Sequence, residues 1–256
     1  MRILLCNDDG IYSEGIQILK AQLDTIADVM VIAPDRERST ISHAMTLRKP
    51  LNIKKVKVKG KIFGFSVNGT PADCIIVGLL EIMKDNKPDI IVSGINPGPN
   101  LGNDITYSGT VGAAREGAMR NIPSLAVSID GSKDYHFDAA ARYTKKIVSN
   151  LIRENLPNNL LLNINFPNLK YDQLEGIEIA RQGKRGYRDE IRNIDDPRGR
   201  VHYWIGGKIE EESIEPDTDS GVVNKRKVAI TPILLDFTDY SMLQKMNQWL
   251  KKWKML

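Results

Sequence analysis

Cysteine is nearly absent from this sequence, with two among 256 residues, and neither stands where a cross-link would help: Cys6 lies in an apolar, strand-like run and Cys74 in a helical one. Such positions favour small buried thiols over disulfides, which fits a reducing, cytoplasmic setting. Histidine is scarce too, at three residues, and no Cys/His cluster with zinc spacing exists, so zinc chemistry has no donors to draw on. Long apolar runs are missing. No stretch approaches the roughly 20 residues that span a bilayer, and the amino-terminal run is broken at once by Asn7-Asp8-Asp9-Gly10, too short for a signal segment. An excess of one charge is also lacking: 36 basic against 32 acidic residues leave +4, a weak hint of anionic ligands and no continuous track for nucleic acid. There is no Gly-x-Gly-x-x-Gly, no Gly-x-x-x-x-Gly-Lys-Ser/Thr and no Gly-x-Ser-x-Gly, which removes the main support for dinucleotide, P-loop and serine-hydrolase chemistry.

What is present is a globular composition, 41% hydrophobic and 27% charged, long enough for one large α/β domain or a main domain with an added lobe. Short aliphatic runs at 3–6, 29–33, 90–93 and 124–128 alternate with helical patterns at 14–23, 71–83 and 109–119. Thr70 and Ser108 are good caps for the last two, and Pro71 occupies a first turn. Continuous aliphatic runs predict strands buried on both faces, and so a doubly wound, mostly parallel sheet that gathers ligands at the carboxyl ends of its strands. The segment 45–67 reads differently, as an antiparallel excursion with strands at 46–53 and 62–67 around a basic turn at 57–61. Further on come a helix at 137–153, strands at 160–164 and 176–179, and a polar stretch at 181–200 that reads as a solvated hairpin or loop. Strands at 201–205 and 228–233, separated by an acidic loop at 210–219, suggest an antiparallel lobe. A final helical pattern, 240–255, carries Leu243, Met246, Trp249 or Leu250, and Trp253 on one stripe; packing on its own core is the default expectation.

Chemistry concentrates after the strands. Asp8 and Asp9 follow the first, and adjacent carboxylates are tolerated when a hard cation such as Mg²⁺ or Mn²⁺ neutralises them; the alternative is a solvated Asp-Asp-Gly turn. The loop after the second strand, from Pro34 to His43, offers Ser39 as a neutral oxygen ligand or as an ordinary turn former. The strongest segment runs from Pro88 to Ala114, a strand opening into a loop rich in glycine, proline and asparagine that feeds straight into a helix. The amides of Gly109, Thr110 and Val111 and the hydroxyls of Ser108 and Thr110 there form a phosphate cradle; the bland reading is a long connection with a Ser-capped helix.

Five blocks, Asn7-Asp8-Asp9-Gly10, Ala33-Pro34 with Ser39, Asn68-Gly69-Thr70-Pro71-Ala72-Asp73-Cys74, Ser93-Gly94-Ile95-Asn96 and Tyr107-Ser108-Gly109-Thr110-Val111, together resemble the SurE family of survival-protein-E nucleotidases. The resemblance implies a Rossmann-like three-layer core with a mostly parallel sheet, an antiparallel excursion or lobe and a carboxy-terminal helix. It implies a metal-dependent phosphomonoesterase acting on nucleoside 5′-monophosphates, with 3′-monophosphates and short polyphosphate as further candidate substrates. By motif, one divalent ion per subunit, Mg²⁺ or Mn²⁺, would be held by Asp8, Asp9, Ser39 and Asn96. Asp8, Asp9 and Asn96 would be catalytic, with Asn100, Ser108, Gly109 and Thr110 on the phosphate. Residues 1–180 are then the catalytic domain and 181–256 a smaller lobe and oligomerisation segment, with the boundary inside 170–183. The family's exchange of tail regions favours a homodimer or a tetramer built from dimers. A non-catalytic nucleotide sensor using the same cradle is the other reading of these residues; a receiver-type signalling domain is disfavoured because Ser93-Gly94-Ile95-Asn96 stands where it needs a phosphorylatable aspartate.

Overall fold

A computed structural model describes residues 1–58, 60–184, 186–210 and 214–255. Residue 59 of the expected basic turn, residue 185 of the polar stretch and residues 211–213 of the acidic loop lie outside the described residues. The backbone follows the order β1 (Arg2–Cys6), α1 (Glu14–Leu23), β2 (Asp28–Pro34), β3 (Ile53–Val58), β4 (Lys61–Val67), α2 (Pro71–Val77), β5 (Ile90–Pro97), α3 (Gly109–Met119), β6 (Ser124–Asp130), α4 (Phe137–Leu151), β7 (Leu161–Pro167), β8 (Ile177–Ile179), β9 (Gly186–Asp195), β10 (Val201–Glu210), α5 (Asp219–Asn224), β11 (Val228–Pro232) and α6 (Tyr240–Lys252).

Nine strands form one sheet in the order β3-β4-β2-β1-β5-β6-β7-β11-β8. From β4 through β7 all neighbours are parallel. The apolar runs are continuous because helices cover both faces. Alternate residues of β1 show this: Ile3 and Leu5 join the cluster with α1 and α4, whereas Leu4 and Cys6 join the cluster with Cys74 and Ile75 of α2 and Ala113 of α3. All of them are fully buried, so truncating Leu5 to alanine should cost about 2–5 kcal/mol. β2 and β5 flank β1 on opposite sides, which puts the reversal of strand order, and the crevice it opens, at the ends of these three strands.

Several elements differ from the sequence expectation. The excursion strand is β3 at Ile53–Val58, not 46–53, and it pairs antiparallel with β4 across most of the residues read as a basic turn. The helix expected at 71–83 is α-helical only to Val77 and continues as a π-turn over Gly78–Ile82. Residues 201–205 do not pair with 228–233. β10 pairs antiparallel with β9, from the polar stretch, as a separate two-stranded sheet, while β11 enters the main sheet between β7 and β8. α6 forms where the stripe predicted it but carries no buried residue, so it does not pack on its own core.

Candidate functional site

β1 ends at Cys6, and Asn7 then ties the turn together, its amide nitrogen donating to the Gly10 carbonyl (3.1 Å) and the Ser13 hydroxyl (2.7 Å). Gly10 has φ +96°, and a Cβ there would lie 3.1 Å from the Arg36 carbonyl carbon, so only glycine lets the two loops approach. The loops are laced by backbone bonds: Arg38 N–H donates to Asp8 O (2.7 Å), and Ile11 N–H donates to Pro34 O (2.9 Å). The Ser39 loop is also pinned to the start of α3. Ser42 donates through its backbone N–H to Tyr107 O (2.9 Å) and through its hydroxyl to Thr106 O (2.7 Å). His43 Nε2 lies 2.8 Å from Glu116 Oε2 on α3. Burial pushes the Glu116 carboxyl up, but its bonds with His43 and Arg120 outweigh this and hold it below the usual range.

These loops enclose a cleft of about 540 Å³ whose lining includes Asp8, Asp9, Ser39, Asn96, Asn100 and Ser108. Six of the eight residues singled out in the sequence therefore meet in one concavity. The other two stand behind it. Thr110 is fully buried, and its hydroxyl donates to Asp8 Oδ1. Gly109 packs so tightly that an added Cβ would come within 2.8 Å of Asp8 Cβ. The α3 start thus supports the Asp8 carboxylate as well as facing the cleft. Ser108 caps the helix, its hydroxyl accepting from Val111 N–H (3.1 Å).

Glu37 is a cleft residue that the sequence did not single out; it accepts a 2.5 Å bond from the Ser39 hydroxyl and adds a carboxylate to those of Asp8 and Asp9. Its signal was its place in the charged loop after β2. Tyr107 and Asp104 also line the wall. Behind them a set of buried amides shapes the loop after β5. Asn100 N–H donates to Asn165 Oδ1 (2.9 Å), Asn163 donates to Asn100 O (2.7 Å), and the Asn100 side chain donates to Ser128 Oγ (2.7 Å). Asn163 and Asn165 stand inside a fully buried strand, a costly position that is itself a legible mark of a polar task.

The electrostatics of the two carboxylates favour a bound cation. Burial, then Asp8, then Glu37 push Asp9 up to about 8. Burial also raises Asp8, with the Thr110 hydrogen bond opposing and Glu37 adding to the rise. Asp9 Oδ2 is buried with no hydrogen-bond partner. The Asn96 amide nitrogen is committed to Gly98 O (2.7 Å), which leaves its oxygen as the available donor atom. Among the described residues no group of three or more His, Cys, Asp or Glu forms a metal cluster. Two carboxylates with neutral oxygens are instead the donor set of a hard cation that keeps several waters, and the residues present fit such an ion.

A family model described as Survival protein SurE matches residues 3–189. The chain is 44% identical over 251 residues to the 5′-nucleotidase SurE of Petrotoga mobilis, covering 98% of this chain and 100% of that one. It is 41% identical over 241 residues to the 5′-nucleotidase SurE of Aquifex aeolicus, covering 94% and 95%. The crystal structure of the SurE protein from Aquifex aeolicus superposes with a TM-score of 0.86 at 39% identity, covering 97% of this chain and 99% of that one.

Proposed function

The chain belongs to the SurE family, and from that premise we propose how its cleft acts as a nucleoside 5′-monophosphate phosphohydrolase, releasing nucleoside and phosphate. The observation that carries the reading is the convergence of Asp8, Asp9, Ser39 and Asn96, from three separate strand ends, on one cleft beside the capped start of α3. A divalent ion, Mg²⁺ or Mn²⁺, would be held by those four side chains and would supply charge neutralisation and an acidified water. The chain's own residues do the rest. Thr110 orients Asp8 by donating to Oδ1, a bond that favours the ionised form against the opposing effect of burial. Ser108 and the first α3 amides offer donors to the phosphoryl oxygens, favoured by the positive end of the helix. Asn100 holds a further oxygen from the opposite loop. Asp9, whose carboxylate lines the cleft, orients the attacking water in line with the leaving ribose oxygen.

Action on 3′-monophosphates and short polyphosphate belongs to the same proposal, because either would present a phosphoryl group to the same donors. So does self-association, through the β9–β10 hairpin and the uncovered α6, as a homodimer or a dimer of dimers. Two buried free cysteines fit a cytoplasmic setting, and among the described residues no helix is long and apolar enough to cross a membrane. No observation favours a sensor without turnover.

The test is phosphate release from AMP with added Mn²⁺, repeated with chelator and with Asp8→Ala. We expect turnover in the first case only. Equal release with chelator, or an active Asp8→Ala protein, would remove the proposed centre.

A further inference from the structure

Asp219 is a carboxylate with no exposure at all, far from the first half of the chain in sequence, and the reaction as described does not use it. Its Oδ2 accepts from Gly102 N–H (2.8 Å), and its Oδ1 accepts from Gly183 N–H (3.0 Å) and Ser220 N–H (2.8 Å). Gln182 reaches the same glycine from the other side, its side-chain amide donating to Gly102 O (2.9 Å). Both backbone groups of Gly102 are therefore held by the last third of the chain. Leu101, next to it, packs with Ala180, Val222, Val223 and Ala229 in a small buried cluster.

Gly102 lies between Asn100 and Asp104, both of which line the cleft. It adopts φ +52°, a left-handed turn that glycine enters without penalty, so the bonds to its N–H and C=O select this conformation among several open to it. Asp219 also sits at the root of the β9–β10 hairpin. Its N–H donates to Arg181 O (2.9 Å), Arg181 N–H donates to Asp217 O (3.1 Å), and the Arg181 side chain pairs with Asp217 (2.8 Å) and Glu215. The strands that leave and return through the hairpin are thus clamped together at the residue that grips the cleft loop.

We propose that Asp219 is a positioning residue for the reaction: its carboxylate sets the 97–104 loop so that Asn100 meets the substrate, and ties that geometry to the root of the hairpin. The inference rests on the nucleotidase reading. The substitution Asp219→Asn would keep the shape but turn one acceptor into a donor facing an N–H, so the new side chain cannot hold Gly102 and Gly183 together. The metal-binding carboxylates lie on other loops and are untouched by this change.

The experiment compares wild type, Asp219→Asn, Asn100→Ala and the double variant, in kcat and KM for AMP at saturating Mn²⁺, Mn²⁺ affinity by calorimetry, and melting temperature. We expect Asp219→Asn to lose on the order of tenfold or more in kcat/KM per folded protein. Mn²⁺ affinity should stay within about twofold, and the double variant should be little worse than Asn100→Ala alone, because both act through one loop. A residue that served only the fold would leave kcat/KM of the folded fraction unchanged, and one that acted independently of Asn100 would add its own loss to that of Asn100→Ala; either result overturns the proposal. Wild type inactive toward AMP would remove the nucleotidase reading and this inference with it, whereas an active wild type with an unaffected Asp219→Asn removes the inference alone. Should Asp219→Asn fail to fold, Gln182→Ala supplies the second test. It deletes only an exposed side chain's bond to Gly102 O and should lower kcat/KM about two- to fivefold with Mn²⁺ affinity intact; no change would overturn the proposal.

Discussion

Replacing Asp9 with asparagine should make the ion-free protein more stable at alkaline pH. Asp9 stands at about 8 because it is buried, then because Asp8 and Glu37 add negative charge beside it. An ordinary aspartate titrates near 3.8. The sign follows from linkage. Below about pH 4 the group is protonated in both folded and unfolded chains and contributes nothing, and as pH rises toward 8 only the unfolded chain gains by ionising, so the folded state loses ground steadily. Taken to its limit the gap is worth on the order of 5 kcal/mol. Partial solvent access to Asp9 screens much of that, which leaves about 2 kcal/mol as the expected effect. Asparagine keeps the shape, cannot ionise and relieves Asp8 as well. The assay is urea unfolding in EDTA at pH 4.5 and pH 8. Asp9→Asn should exceed wild type by little at the lower pH and by about 2 kcal/mol at the higher, or roughly 4–8 °C in melting temperature. Added Mn²⁺ should close the gap by stabilising wild type alone. A difference that does not grow with pH, or a variant less stable than wild type at pH 8, would refute the account of a carboxylate pair held against its own repulsion.

Other consequences are simpler to read. Thr110→Val removes the hydroxyl that donates to Asp8 and should weaken Mn²⁺ binding about tenfold by calorimetry, with Thr110→Ser restoring it. Gly109→Ala drives a methyl group to within 2.8 Å of Asp8 Cβ and should cut kcat by about a hundredfold or more while the protein still folds, as judged by circular dichroism. Ser108→Ala loses a helix cap and a phosphate donor together; a drop of about 1 kcal/mol in unfolding free energy should accompany a raised KM for AMP.

The strands that carry the site were legible because burial on both faces writes itself as unbroken aliphatic runs, as in Ile90 to Val92. Asp8, Asp9, Ser39 and Asn96 were legible because they follow those runs and match family blocks. β3 was misplaced for a physical reason: its end, Lys57 and Val58, reads as part of the basic turn at 57–61, yet lysines such as Lys54, Lys55 and Lys57 are what an edge strand uses to discourage further pairing. The 181–200 stretch was legible only as a solvated hairpin or loop, and 201–205 as a strand without its true partner, because residues 190–207 are almost all exposed and no buried face sets a period of two. The task of Thr110 was hidden because helix-start hydroxyls look alike in sequence, and only the approach of Asp8 decides which way this one points. Asp219 had no local signal at all, since its partners at Gly102 and Gly183 are main-chain groups that no side-chain pattern records.

The uncovered helix α6 has a thermodynamic corollary. Thirteen residues are too few to stay helical in water by themselves, and Trp249, Trp253, Leu243 and Met246 all remain substantially open to solvent. Whatever seals that tryptophan stripe therefore also decides how ordered the segment is. Where a second copy is the seal, dilution should unwind residues 240–252 first, and their amide protons should exchange faster as concentration falls while those of β1 and β5 hold their pace.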